Sequence, residues 1–311
     1  MDLIAGLIQT AILAGGVLAL AALGEVLAER AGVVNLGVEG LMALGAITGI
    51  ATVVAVPSPM LGFALALLVG LAVGMVFATA TVIVRANQIL CGLALTLMGT
   101  GVAAMIGKAY SGIPAPATFP PIAIPLLSEL PLVGRALFTQ NILVYLIYLV
   151  LPFCIHHLLF RTRHGLDLRA VGENPAAADA AGIPVRRIRF WYVSVGAAFA
   201  AGAGAYLTLA FVPSWSEGVV AGRGWIAVAL VIFAGYRPWT AVMAALLFGL
   251  ITSLGFVGQA RNWPIAAPVL SMLPYLGTIA LMIVPVLAWQ KVRRLMAAPA
   301  ALGEPYFRDV R

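Results

Sequence analysis

Eight stretches of this chain, 3–23, 36–56, 61–84, 88–107, 141–160, 191–212, 238–257 and 266–289, run with little or no charge for about the 20 residues that a bilayer-crossing helix needs. No other feature restricts the fold as strongly. A chain of 311 residues has no water-shielded interior large enough to take up that many apolar segments, so lipid must solvate most of it. Composition agrees: 63% of residues are hydrophobic and only 9% charged, against roughly 25% charged in a soluble domain. A ninth apolar piece, 225–236, is short and lies between Gly222-Arg223-Gly224 and Arg237-Pro238, which marks a half-helix or tilted helix that still crosses. The expected fold is an all-α integral membrane protein, a bundle of about nine transmembrane helices (eight to ten) that includes broken or half helices. One polytopic domain spans 1–311. The opening segment lacks the basic flank of a signal peptide and reads as a retained membrane helix. Cys91 and Cys154 sit inside apolar runs, so they read as core filler and not as a disulfide or a metal site. No basic and aromatic pattern suggests nucleic acid.

Basic residues near span ends set orientation. Between 161 and 190 lie six arginines and three acids, and the tail 290–311 adds Lys291, Arg293, Arg294, Arg308 and Arg311. Both segments belong in the cytoplasm, and counting spans back from the central loop puts the N-terminus outside and the C-terminus inside. The loop 109–140 then lies outside. Its prolines, Pro114, Pro116, Pro120, Pro121, Pro125 and Pro131, predict an extended or irregular path.

Residues 165–185, GLDLRAVGENPAAADAAGIPV, read as one short bounded helix. Asn174 can cap it, Pro175 suits its first position, Gly182 can end it in the left-handed conformation and Pro184 blocks continuation. Between them stand Ala176, Ala177, Ala178, Asp179, Ala180 and Ala181. So short a helix with so little side chain to bury is not stable alone. Either it docks in a groove on a partner, or the segment is a solvated loop whose arginines only enforce orientation.

The segment resembles the cytoplasmic coupling loop of permease subunits of ATP-binding-cassette (ABC) importers, in the family serving branched-chain amino acids, simple sugars and nucleosides. AERAGVVNLGVEGLMALGA at 28–46 and GRGWIAVALVIFAGYRPWTAVMAALLFG at 222–249 resemble the same family, and GEPYFRD at 303–309 is similar to the smaller of two paired nucleoside permeases. The resemblance implies a multi-pass permease of the bacterial plasma (inner) membrane for nucleosides or related simple sugars, with branched-chain amino acids as the alternative substrate. It implies no catalysis and no cofactor on this chain. ATP and Mg would sit on a separate ATPase subunit that receives Gly172, Glu173, Asn174, Pro175, Ala177, Ala178 and Gly182. A second homologous permease and a periplasmic or lipid-anchored solute-binding protein complete the assembly, with membrane lipid around it. The chain also lacks the G-x-x-x-x-G-K-[ST] run that cradles ATP phosphates.

Polar residues inside apolar spans usually face a cavity or the protein interior. Glu25 and Glu29 share a helix face, with Arg30 positioned to offset part of their repulsion. Asn35 can cap a helix from Leu36, which places Glu39 in its first turn near the positive end of the dipole. A break at Ala31-Gly32 is the kind of discontinuity that lines transport sites. The competing reading is that these acids mark the cytoplasmic ends of two spans. Asn35, Glu39, Asn87, Gln88, Thr96 and Gln259 are the substrate-path candidates, with Thr252, Ser253 and Asn262 nearby. Amides and hydroxyls suit ribose or base, although serine and threonine in membrane helices often bond backbone instead. His156, His157 and His164 cluster at an inner span end without metal spacing and read as interfacial anchors. A different class, a stand-alone secondary transporter, would need Glu39 as its ion-coupling group.

Overall fold

The structure, a computed structural model, describes residues 2–125, 127–129, 134–288 and 297–308. Pro131, Lys291, Arg293, Arg294 and Arg311 lie outside the described residues. The helices are α1 (Asp2–Arg30), α2 (Val38–Ala55), α3 (Pro59–Ala78), α4 (Gln88–Gly107), α5 (Gly134–Phe138), α6 (Ile142–Tyr145), α7 (Leu151–Arg161), α8 (Arg163–Glu173), α9 (Pro175–Ala180), α10 (Val185–Tyr206), α11 (Arg223–Phe233), α12 (Pro238–Ala260) and α13 (Ala267–Ala288). Single π-helical turns extend α3 to Ile83 and α10 to Phe211, and another joins α6 to α7. Among the described residues, seven helical segments are long and apolar enough to cross a membrane. With α13 and the shorter α11 they account for the nine expected pieces.

The prolines of loop 109–140 leave room for a small ribbon where an irregular path was expected. Strand β1 (Pro121–Ala123) pairs antiparallel with β2 (Thr139–Asn141). Cys91 is partly buried, while Cys154 is exposed and so does not fill the core; both are free.

Small residues let the central helices touch. A Cβ on Gly24 would stand 2.6 Å from the Gly196 carbonyl oxygen, and one on Gly196 would stand 2.7 Å from that of Gly24. The Gly196–Gly204 stretch thus packs closely on its neighbours, and α10 lies against α1, α2 and α3. The pairings repeat in mirror order. Ser253 of α12 bonds the Leu7 carbonyl of α1 and Gly15 of α1 meets Ala245 of α12, while Gly62 and Gly74 of α3 meet Leu209 and Ser194 along α10. Gly16 meets Tyr206 and Gly24 meets Gly196, so α1 and α10 are antiparallel. The runs α1–α3 and α10–α12 are thus two halves of similar design crossing in opposite directions, an arrangement common in transporters.

In each half the second helix starts only after non-helical chain, 31–37 before α2 and 212–222 before α11. Leu36 meets Thr96, the ninth residue of α4 and about 13 Å along its axis at 1.5 Å per residue. That is near the middle of a bilayer core about 30 Å thick. Backbone polar groups at that depth must find partners within the protein. The N–H groups of Gly32 and Val33 donate to carbonyls of α1, that of Val34 donates to Gln88 Oε1 at 2.9 Å, and that of Gly37 donates to Asn35 Oδ1 at 2.9 Å. The Leu36 carbonyl accepts from Thr96 Oγ1 at 2.8 Å. The irregular backbone is thus satisfied by carbonyls of α1, by Asn35 within the break, and by Gln88 and Thr96 of α4.

Candidate functional site

Three regions carry the candidate residues: the meeting point of α2 and α11, two cavities beside it, and the surface around α9.

Asn35 does not cap α2 as expected. The helix starts at Val38, and Asn35 accepts from Gly37 before it. Glu39 does fall in the first turn. Its Oε1 accepts the Gly222 N–H at 2.8 Å and its Oε2 accepts the Gly224 N–H at 2.7 Å, so one carboxylate serves the N-terminal ends of two helices, each the positive end of a dipole. Contact this close requires glycine: a Cβ on Gly224 would come within 2.5 Å of the Glu39 backbone nitrogen. Gly222 is left-handed, with φ +74°, a conformation glycine adopts without steric cost.

One cavity of about 300 Å³ beside this junction is lined by Glu39, Thr100, Trp215 and Glu217. A second, also about 300 Å³, lies between α1, α11, α12 and α13 and is lined by Arg223, Thr252, Phe256, Gln259, Ser271 and Tyr275. Among the described residues, the first presents acidic side chains and no base; the second presents a guanidinium and no acid. Arg223 Nη1 is held by the Val219 and Val220 carbonyls, and Tyr275 donates to the Ala221 carbonyl at 2.6 Å.

The structure therefore separates the six substrate-path candidates. Glu39 and Gln259 line cavities. Asn35, Gln88 and Thr96 are committed to the irregular backbone, and Asn87 caps α4 by accepting the Leu90 N–H at 3.1 Å. Of the nearby residues, Thr252 bonds the Phe248 carbonyl in its own helix. Arg223, Trp215, Glu217, Ser271 and Tyr275 are additional lining residues; the Gly222-Arg223-Gly224 signature was the one sequence signal pointing at them. Glu25 and Glu29 are fully buried inside α1, not at a solvated membrane end. Arg30 does not pair with them, because its guanidinium donates to the Tyr236 and Gly235 carbonyls at 3.0 and 3.2 Å.

Around α9 the capped helix forms as its sequence predicts. Asn174 Oδ1 accepts the Ala177 N–H at 2.9 Å, Pro175 occupies the first turn and Gly182 has φ +83°. Ala176, Ala177, Ala180 and Ala181 are exposed, and Ala178 is buried. The preceding segment is helical as well: α8 is capped by Thr162, which accepts the Gly165 N–H at 3.0 Å. Gly172 packs directly on the Arg30 carbonyl at the end of α1, so it is part of the fold and not of a free docking surface. The Tyr306 phenol stands beside Asp179; desolvation first, then the nearby carboxylate, raises it above the usual phenol range. No group of three or more metal-ligating side chains occurs among the described residues.

Comparison with known proteins covers the whole chain. TsgC13 of Haloferax volcanii, an ABC transporter permease protein whose name assigns it provisionally to glucose, is 39% identical over the full length of both chains. The nucleoside ABC transporter permease protein NupC of Lactococcus lactis is 34% identical over 83% of this chain and 84% of its own. The guanosine ABC transporter permease protein NupQ of Bacillus subtilis is 32% identical over 94% of each. No solved structure matches. Residues 7–284 match the family described as branched-chain amino acid transport system / permease component, and the chain is a member of that family of multi-pass ABC permeases.

Proposed function

We propose that this chain is the permease subunit of an ATP-driven importer for a neutral sugar or nucleoside, seated in the plasma membrane with its C-terminus in the cytoplasm. Helix α9 is the observation that carries the coupling part of this reading. It is a six-residue helix with a full set of end signals and an exposed alanine face, suited to a groove on an ATPase subunit that binds ATP and Mg. The residues assigned to coupling are Glu173, Asn174, Pro175, Ala177, Ala178 and Gly182, with Gly172 fixing their position. A second homologous permease and an extracytoplasmic solute-binding protein complete the importer.

The substrate class rests on the relatives' names and on charge. A zwitterionic amino acid needs both signs within one site, whereas here the acidic and the basic cavity lie on different sides of the α2–α11 junction. Amide, hydroxyl and aromatic groups such as Gln259, Tyr275 and Phe256 suit a hydroxylated ring. The stand-alone ion-coupled reading is less well supported, since both Glu39 oxygens already accept backbone N–H groups.

Ala177→Glu tests the proposal. Ala177 is exposed, so the variant should insert and fold normally, yet lose association with the ATPase subunit and lose uptake of labelled nucleoside and hexose. Undiminished association and uptake would remove α9 from the mechanism. In the wild-type importer, uptake of leucine with no uptake of guanosine or glucose would reverse the substrate assignment.

A further inference from the structure

The segment 297–308 lies across the cytoplasmic face and touches α8, α9 and α10. Its Ala300 N–H donates to Glu173 Oε2 at 3.2 Å, next to the residue that caps α9. The Ala301 N–H donates to the Gly172 carbonyl at 3.0 Å, and the Gly303 N–H donates to the Gly32 carbonyl at 3.2 Å. Gly32 belongs to the break before α2. The Glu304 carbonyl accepts from Arg189 Nη1 of α10 at 2.8 Å. Tyr306 packs on a small apolar cluster of Val171, Ala178 and Val185, one residue each from α8, α9 and α10. Arg85, just past the end of α3, stacks over the Phe307 ring at 4.8 Å. Arg308 pairs with Asp179 at 3.1 Å, but its side chain is 69% exposed, and exposed pairs add little. The backbone bonds and Tyr306 are therefore the grip.

We propose that residues 299–308 are a positioning strap that ties α9 to the α1–α2 break, so that displacement of the coupling helix by the ATPase reaches the membrane-embedded junction at Glu39. This rests on the reading of α9 as the coupling helix. Among the described elements, helix α9 otherwise touches only α8 and α10 to an appreciable extent, and Gly182 and Pro184 make its link to α10 a bend. The strap adds a second, independent connection, and its target, Gly32, is five residues from the start of α2 at Gly37–Val38. Coupling carried this way needs a contiguous element that both sites bias.

The assay uses the complete importer in proteoliposomes, with ATP hydrolysis, its stimulation by solute-loaded binding protein, and uptake measured together. Tyr306→Ala should leave ATPase association and unstimulated hydrolysis in place, while stimulation and uptake fall roughly tenfold, within the range typical of coupling between linked sites. Truncation after Ala298 should do the same more severely. Tyr306→Ala decides the matter if the truncated chain fails to fold. Stimulation and uptake unchanged in Tyr306→Ala would overturn the strap, and so would loss of ATPase association, which would make the segment a docking surface instead. Ala177→Glu run in parallel separates the two ideas: if it abolishes association while Tyr306→Ala is silent, only the strap fails; if it is silent, the coupling reading fails first.

Discussion

Glu39 accepts backbone N–H groups from Gly222 and Gly224, so removing its carboxylate strands both donors, of which that of Gly224 is buried. An unsatisfied buried donor costs about 1–3 kcal/mol. Glu39→Ala should accordingly lower the thermal unfolding midpoint in detergent and abolish uptake, with Glu39→Gln intermediate because an amide oxygen can keep one of the bonds. A midpoint equal to wild type would show that α2 and α11 do not depend on this contact. The identity of such residues is visible in the sequence, since an acid within an apolar stretch stands out. Their partners are not. Asn35, Gln88 and Thr96 look alike as polar residues beside or within apolar spans, and only the packed fold shows that they serve the backbone of 31–37 while Gln259 lines a cavity.

Helix α9 illustrates what short-range signals can determine. Its boundaries depend on Asn174, Pro175, Gly182 and Pro184, all within eleven residues, and cap geometry needs no distant partner. Replacing an Asn cap by Ala costs about 1 kcal/mol, a large share of what holds a six-residue helix. Asn174→Ala should therefore weaken binding of the ATPase subunit about fivefold, by the usual conversion of free energy to affinity, and Asn174→Ser should restore it. Equal affinities in a binding titration would mean that the partner itself orders the helix. Spans are equally legible because each needs only local hydrophobic length. The grip of 297–308 on Gly32, Gly172 and Arg189 was not legible, because the bonded residues lie more than one hundred positions apart.

Across the whole molecule, the positive charge in 161–190 predicts a fixed orientation that the antiparallel packing of α1 and α10 accommodates. In a background lacking Cys91 and Cys154, a cysteine at Ser111 should react with a membrane-impermeant maleimide added to intact cells. One at Ala176 should react only in inverted vesicles. The reverse pattern would invert the topology. The mirrored pairing of α1–α3 with α10–α12 escaped the sequence because it depends on which small residues face one another, Gly15 with Ala245 or Gly74 with Ser194, and glycines are spread through most of the spans. The meeting of α2 and α11 also bears on how the chain is made. Glu39 and its partner Gly224 are separated by 185 residues, so Glu39 leaves the ribosome long before the N–H groups it will hold exist. Helix α11, at 11 residues, is about 16 Å long and too short to enter the bilayer as an independent span. Membrane integration must then proceed in two phases: the long helices enter first, and a closing step seats α11 onto a vacant place beside α2 once the last third of the chain has been synthesised.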